Sequence, residues 1–496
     1  MTKKIILGSV SAFLVVILLL ALVWFLANRD SPVQNNRDYV GSVACGECHE
    51  EEYASWAKTA HARVIQDVTK DKNPIIGEWG KTLTFQEGDL SEVTIRLEES
   101  AEGLHQVTLV DAADPTREST FTVSRVTGGH GWKQRFYTKI DGDYYPLPTD
   151  WNETINDWVP FRLSLWWNSD GELRKRPFKI IAWGSMCAGC HETGVVTTLG
   201  FTGYQKSESV EPMIACEKCH GPGAAHTDDP EEDNIINPTD LAFEREVEVC
   251  GQCHGYGKSF PTGILSRHPM KEFGGEMYRP GKVLAEYSKP APIRWEGTPF
   301  AKKHRQQFFD HQQSAHYTEE IGCIGCHAPH GSEFEHDLKV AKDDKNLCLG
   351  CHAENPQFQD AAAIAEHTGH APYLEGKDEM TCISCHQQQS TYSASMGDGA
   401  SHHFRIVSPA ISLAMFDRFK DADPLPDYCG DEQIGHASLA LCFSQNVIPN
   451  SCNGCHEGWK GSREGLEAGV KVFNEMFYQK EPGNWKQNPG HDDETD

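Results

Sequence analysis

Eight copies of the five-residue word C-x-x-C-H, beginning at Cys45, Cys187, Cys216, Cys250, Cys323, Cys348, Cys382 and Cys452, constrain any fold open to this chain. Each ends in a histidine: His49, His191, His220, His254, His327, His352, His386 and His456. Thiols at i and i+3 suit the two vinyl groups of one porphyrin, and the histidine after the second Cys is placed to face the iron. Each word therefore supplies tether and axial ligand for one c-type haem. A zinc knuckle or redox dithiol also uses C-x-x-C but has no need of the fifth position. With 24 His in 496 residues, a chance His in that slot has odds of about one in twenty, so eight in eight is not coincidence. The expected complement is eight haems, tethered by Cys45, Cys48, Cys187, Cys190, Cys216, Cys219, Cys250, Cys253, Cys323, Cys326, Cys348, Cys351, Cys382, Cys385, Cys452 and Cys455.

The rest of the composition follows from that load. Sixteen of the 18 Cys belong to the words, and the remaining two, Cys429 and Cys442, are expected to form a disulfide in a chain whose haems are attached outside the cytoplasm. Hydrophobic residues make up only 39% of the chain, low for this length, so the macrocycles are expected to complete the apolar core. A net charge of −27 argues against nucleic acid or anionic lipid as partner and suits steering of a cationic redox protein. The acidic cluster Asp228, Asp229, Glu231 and Glu232 is a conceivable calcium site without the loop spacing of one. No nucleotide fingerprint stands out: Gly128, Gly129, His130 and Gly131 are wrongly framed.

After Lys3 and Lys4, the apolar run Ile5 to Ala27 is long enough as a helix, about 34 Å, to span a hydrocarbon core of about 30 Å. The expectation is an uncleaved inner-membrane anchor over 1–27, a polar linker over 28–38, and a haem body on the periplasmic or extracytoplasmic side. A first haem segment occupies 39–80. The long gap before the second word carries alternating apolar residues at Val93, Ile95 and Leu97, and an Asp141–Gly142 turn, which predict an inserted antiparallel β unit over 81–180. Its aromatic residues Trp151, Trp158, Phe161, Trp166 and Trp167 either pack on a haem edge or form the unit's own core. Residues 181–480 read as a seven-haem body closed by an amphipathic helix bearing Leu466, Val470, Phe473 and Phe477. The acidic tail 481–496 is expected to be disordered.

The flanks of the words add a resemblance. Tyr39-Val40-Gly41-Ser42 before Cys45, Ser185-Met186 before Cys187, the run Cys219 to Gly223 with His226, Cys326 to His330, His403-Phe404-Arg405, and Pro449-Asn450-Ser451 before Cys452 resemble a family of octahaem c-type cytochromes. That family is similar to the group holding tetrahaem nitrification cytochromes, pentahaem nitrite reductase and hydroxylamine oxidoreductase. The resemblance implies a multihaem cytochrome c fold, mainly α and irregular, here with the β unit and one transmembrane helix. This chain lacks the tetratricopeptide repeats common in the family, and Gln387, Gln388 and Gln389 follow His386 where Met and Pro are usual.

Axial ligation separates carrier from enzyme, because an iron held by two histidines has no position for a substrate. His61, His226, His316, His330, His370 and His403 are the first candidates for second ligands. His130, His268, His311, His367, His402 and His436 come next. The leading functional reading is a membrane-anchored octahaem carrier in an anaerobic respiratory chain, working between a quinol-linked membrane donor and an exported acceptor. The alternative is an oxidoreductase acting on a small nitrogen or sulfur oxyanion at one five-coordinate haem; a third reading has the β unit bind a partner protein.

Overall fold

The structure is a computed structural model that describes residues 36–69, 74–88, 90–200, 203–370, 381–394, 396–420, 447–452, 456 and 462–475. Two regimes alternate along it. Short helices and 3-10 turns surround the C-x-x-C-H words, such as Cys216–His220, Phe243–His254, Asn346–His352 and Cys382–His386. Between the first and second words the chain turns to antiparallel sheet.

Strand β1 (Ile65–Asp67) begins the β region. It is followed by β2 (Lys81–Phe85), β3 (Val93–Glu99), β4 (His105–Val110), β5 (Glu118–Thr122), β6 (Arg125–Gly128), β7 (Lys133–Ile140), β8 (Asp143–Asn152) and β9 (Asp157–Pro160). These make a four-stranded sheet in the order β2-β3-β4-β5 and a five-stranded sheet in the order β1-β6-β7-β8-β9. The period-2 alternation of β3 puts Val93, Ile95 and Leu97 on one fully buried face, with Val107 and Leu109 of β4 beside them. Truncating one of them, for example Leu97→Ala, is expected to cost about 2–5 kcal/mol. The β7–β8 turn runs through Asp141 (φ 51°) and Gly142 (φ 87°), the pair of left-handed residues that a tight hairpin demands.

The aromatic residues of this region form its own core. Trp166 and Trp167 are buried, with indole N–H groups donating to the carbonyls of Pro146 (3.0 Å) and Val110 (2.9 Å). Trp158 donates to Glu78 O at 2.9 Å. Smaller hairpins interrupt the haem segments: β10 (Val196–Gly200) with β11 (Gly203–Glu208), β12 (Gly257–Ser259) with β13 (Ser288–Pro290), and β14 (Gln389–Tyr392) with β15 (Met396–Ala400). The last helix, Arg463–Phe473, buries Leu466 and Phe473 and pairs Arg463 with Asp417 of helix Pro409–Lys420 at 2.9 Å.

One expectation from the sequence is corrected here. Among the described residues no helix is long and apolar enough to cross a membrane, so a transmembrane helix and a single-pass inner-membrane location are not part of the fold as observed. The apolar run 5–27 itself lies outside the described residues, as do Cys429, Cys442, His436, Phe477 and the tail 481–496. No disulfide occurs among the described cysteines.

Candidate functional site

The family-like flanks hold the first words in place. Glu217, inside the word at 216, is buried and its carboxylate accepts from the N–H groups of Val40 (3.0 Å), Gly41 (2.8 Å) and Gly223 (2.7 Å). Glu211 accepts from the backbone N–H of Ser42 at 2.9 Å and from its hydroxyl. Buried carboxylates bonded only to N–H and O–H donors make strong, charge-assisted clamps, and here they lock two distant words side by side. Gln388, from the unusual triplet, has a structural use: its amide donates to Pro449 O and its oxygen accepts from Ser451 Oγ at 2.6 Å. That ties the word at 382 to the one at 452.

The cysteines, whose sulfurs stand where thioethers form, interlock in the same way. The sulfurs of Cys45 and Cys216, Cys190 and Cys253, Cys250 and Cys323, and Cys348 and Cys382 lie against one another. Cys351 lies close to Cys326.

The histidines decide what these sites can hold. Two metal–imidazole bonds of about 2.0–2.1 Å, with each ring centroid about 1.1 Å behind its nitrogen, put trans axial rings about 6.3 Å apart. Seven motif histidines face a second imidazole at that spacing. The pairs are His49–His226 at 6.4 Å, His254–His61 at 6.3 Å, His220–His330 at 5.9 Å, His327–His402 at 6.4 Å, His352–His316 at 6.0 Å, His386–His367 at 6.2 Å and His456–His370 at 6.2 Å. The Nδ1 atoms of His220, His327 and His386 bond to the carbonyls of Ile236 (2.8 Å), His336 (3.0 Å) and Phe404 (3.1 Å). This fixes the tautomer and leaves Nε2 free, the arrangement that metal-ligating histidines use. Burial pushes His254 down to about 4 and His402 to about 3, with a neighbouring imidazole adding to each shift, so both are neutral imidazoles, the form able to bind a metal, at neutral pH. These donor sets fit c-type haem.

His61, His226, His316, His330 and His370 thus lie opposite motif rings, as do His367 and His402 from the second group. His403 does not: its ring packs on Phe300 at 4.2 Å and its Nδ1 accepts from Arg405 N at 2.9 Å. The adjacent His402 stands opposite His327. His130, His268 and His311 face no motif ring within axial spacing. Asp228 and Asp229 end the short helix Ala224–Asp228; among the described residues no group of three or more His, Cys, Asp or Glu is arranged to hold a metal ion.

His191 is the exception. Among the described residues its nearest ring contact is Trp183 at 5.7 Å, not an imidazole. Around this word lies a cationic cluster that sequence reading missed. Arg135, Arg305 and Tyr137 lie close to Cys187. Arg162 feels Arg267, Arg135 and Cys187. Burial first, and neighbouring cations second, hold Lys133 and Lys303 down to about 8, while Asp150 and Asp398 oppose the shift of Lys133. Arg135 is paired with Asp150 at 2.9 Å. Arg267 donates to Tyr256 Oη at 3.3 Å, and Arg305 lies over the Tyr256 ring at 4.5 Å. Arg162 (φ 46°) and Arg305 (φ 56°) both adopt left-handed backbone, a cost that non-glycine residues bear most often at functional sites. The one signal available in sequence was the Lys302-Lys303-His304-Arg305 run; its partners on β7 lie far away along the chain.

The profile of the doubled CXXCH motif matches residues 316–357, and that of cytochrome c554 and c-prime matches 44–86 and 172–221. The chain is a multihaem c-type cytochrome. It is similar to the dissimilatory sulfite reductase MccA of Wolinella succinogenes, at 21% identity over 61% of this chain and 43% of that protein. It therefore spans less than half the length of the curated relative it matches. The outer cell wall cytochrome OcwA shares the fold, with a TM-score of 0.57 and 22% identity over 88% of this chain and 86% of that one. The solved octahaem sulfite reductase MccA of W. succinogenes superposes with a TM-score of 0.37 at 15% identity, covering 76% and 60%.

Proposed function

We propose that this multihaem cytochrome is an octahaem oxidoreductase related to the octahaem family, in which the haem tethered at Cys187 and Cys190 reduces a small oxyanion. In this reading the other seven haems are bis-histidine and carry electrons to it. The observation that carries the reading is that His191, unlike the other seven motif histidines, faces no second imidazole among the described residues. A haem held by Cys187, Cys190 and His191 would supply electrons and a position for substrate.

The chain's own residues supply the rest. Lys133, Arg135, Arg162, Arg267, Lys303 and Arg305 are opposed by two carboxylates, Asp150 and Asp398. Even after the two propionates of one haem are set against the cluster, it keeps excess positive charge, so it draws and orients an anion in a chain that is otherwise strongly acidic. Reduction of an oxyanion consumes protons. Lys133 and Lys303, lowered to about 8, are protonated at neutral pH yet close enough to it to release a proton. The interlocked cysteine pairs support an electron route in which the word at 187 neighbours that at 250, which leads on to those at 323, 348 and 382. The name of the W. succinogenes relative makes sulfite the first substrate to try, with nitrite as the nitrogen counterpart.

The test is electron paramagnetic resonance of the oxidised protein, with turnover measured from a reduced viologen. A high-spin haem signal perturbed by sulfite or nitrite, with turnover of one of them, is the expected result. Low-spin signals alone, and no turnover, would leave electron transfer as the whole activity.

A further inference from the structure

Metal-bound histidines almost always donate their second ring N–H to a carboxylate or carbonyl, which makes the imidazole more basic and lowers the potential of the metal. His220, His327 and His386 follow that rule through backbone carbonyls. His191 does not: its Nδ1 is buried with no partner among the described residues. The side chains around it keep it so. Trp183 packs against the ring at 5.7 Å, and an indole offers an N–H donor but no acceptor. The Trp183 Nε1–H is itself buried and unpaired. The nearest carboxylate in sequence, Glu192, is buried and committed to Arg125, whose Nη1 donates to it at 2.8 Å. Arg125 in turn lies between the Tyr144 ring at 3.9 Å and the Trp183 ring at 5.0 Å, and Tyr137 braces the far side of Trp183 edge-on at 5.1 Å.

From this arrangement we infer that Trp183, Arg125 and Glu192 are positioning residues that hold the His191 imidazole by packing alone and deny its Nδ1–H an acceptor. The inference rests on the proposed role of the haem at Cys187 and Cys190. A proximal imidazole without that hydrogen bond is a weaker donor, so an iron held here would be more easily reduced than those at His220, His327 and His386. Electrons on those three haems would then run downhill to the position where substrate binds. Arg125 comes from β6, which makes the β unit a part of the redox tuning rather than an appendage.

The experiment is a potentiometric titration of the intact holoprotein followed by electron paramagnetic resonance and by resonance Raman of the reduced high-spin haem. Trp183→Gln places an acceptor beside His191. It is expected to lower the potential of the high-spin haem and raise its iron–imidazole stretching frequency, while the low-spin haems, which report that the protein is folded, keep their potentials. Trp183→Phe keeps the packing without an acceptor and is expected to match the wild type. Arg125→Lys retains the ion pair and is expected to do the same. A high-spin haem whose potential and stretching frequency are unchanged by Trp183→Gln overturns this inference alone. Absence of any high-spin haem in the wild type overturns the proposed function and this inference with it.

Discussion

Two adjacent histidines, His402 and His403, provide a sharp test of the haem assignment. The His402 ring lies 6.4 Å from that of His327, with planes 18° apart, whereas His403 is wedged against Phe300 at 4.2 Å and accepts from Arg405 N at 2.9 Å. His402→Ala is therefore expected to remove one axial ligand, converting the haem at Cys323 and Cys326 from low-spin to high-spin and adding a second high-spin signal beside that of the haem at His191. Free imidazole in the buffer should enter the space left by the ring and restore the low-spin state. His403→Ala should leave every haem's spin state unchanged. It loses a buried hydrogen bond and an aromatic contact, so its cost falls on stability, about 1–3 kcal/mol, read as a shift in the denaturant midpoint. The measurement is spin quantitation by electron paramagnetic resonance on matched protein concentrations. A new high-spin haem in His403→Ala, with His402→Ala unchanged, would refute both the pairing and the use of ring separation as a guide to ligation.

Other consequences are as direct. Intact mass of the purified protein should exceed the polypeptide mass by eight haems, and seven or fewer would remove at least one word from the account. Lys133 and Lys303, held near 8, carry charge below that value and lose it above, so nitrite, singly charged throughout, should bind progressively more weakly as pH rises from 7 to 9. Neutralising one ammonium in this partly screened site weakens binding by about 1.4 kcal/mol, or tenfold, and a pH-independent dissociation constant would refute the cluster as an anion site. A Cβ at Gly189, inside the second word, would overlap the buried ring of His268, so Gly189→Ala should displace that loop at a cost of about 1–3 kcal/mol. Thermal melts should fall, and haem content at this word should drop first.

What could be read from the chain follows how local each constraint is. Tether and proximal ligand share one five-residue word, so those positions are visible without a fold. The Asp141–Gly142 hairpin is equally local, because two consecutive residues at positive φ admit few other sequences. Second ligands are harder, since a histidine's partner is set by how loops return to neighbouring words. The His61 ring stands 6.3 Å from that of His254, and nothing in the intervening residues encodes that crossing. His402 and His403 differ only in which side of the chain each ring leaves, which the turn at Phe404 (φ 57°) decides and sequence does not display. The cationic cluster was invisible for the same reason on a larger scale. Lys133 and Arg135 alternate on a strand among other polar residues, and only the packing of β7 toward the loop at 303–305 turns them into a site.

That packing also accounts for a contradiction in the charge. A net charge of −27 would repel the oxyanion that this chain is proposed to reduce, and long-range steering alone would keep such a substrate away. Salt screens exposed charges beyond about 8–10 Å, so the acidic exterior acts chiefly on large partners whose own charges are spread over tens of ångströms. Close to His191 the balance reverses, because half-buried cations from β7 and from residues 303–305, with the more exposed Arg162, converge there with too few carboxylates to cancel them. The same molecule can thus attract a cationic redox partner at its surface and a small anion at one iron, using two charge distributions that screening keeps independent. Neutralising surface carboxylates should then change the ionic-strength dependence of electron entry and leave nitrite affinity alone, whereas Lys303→Met should do the reverse.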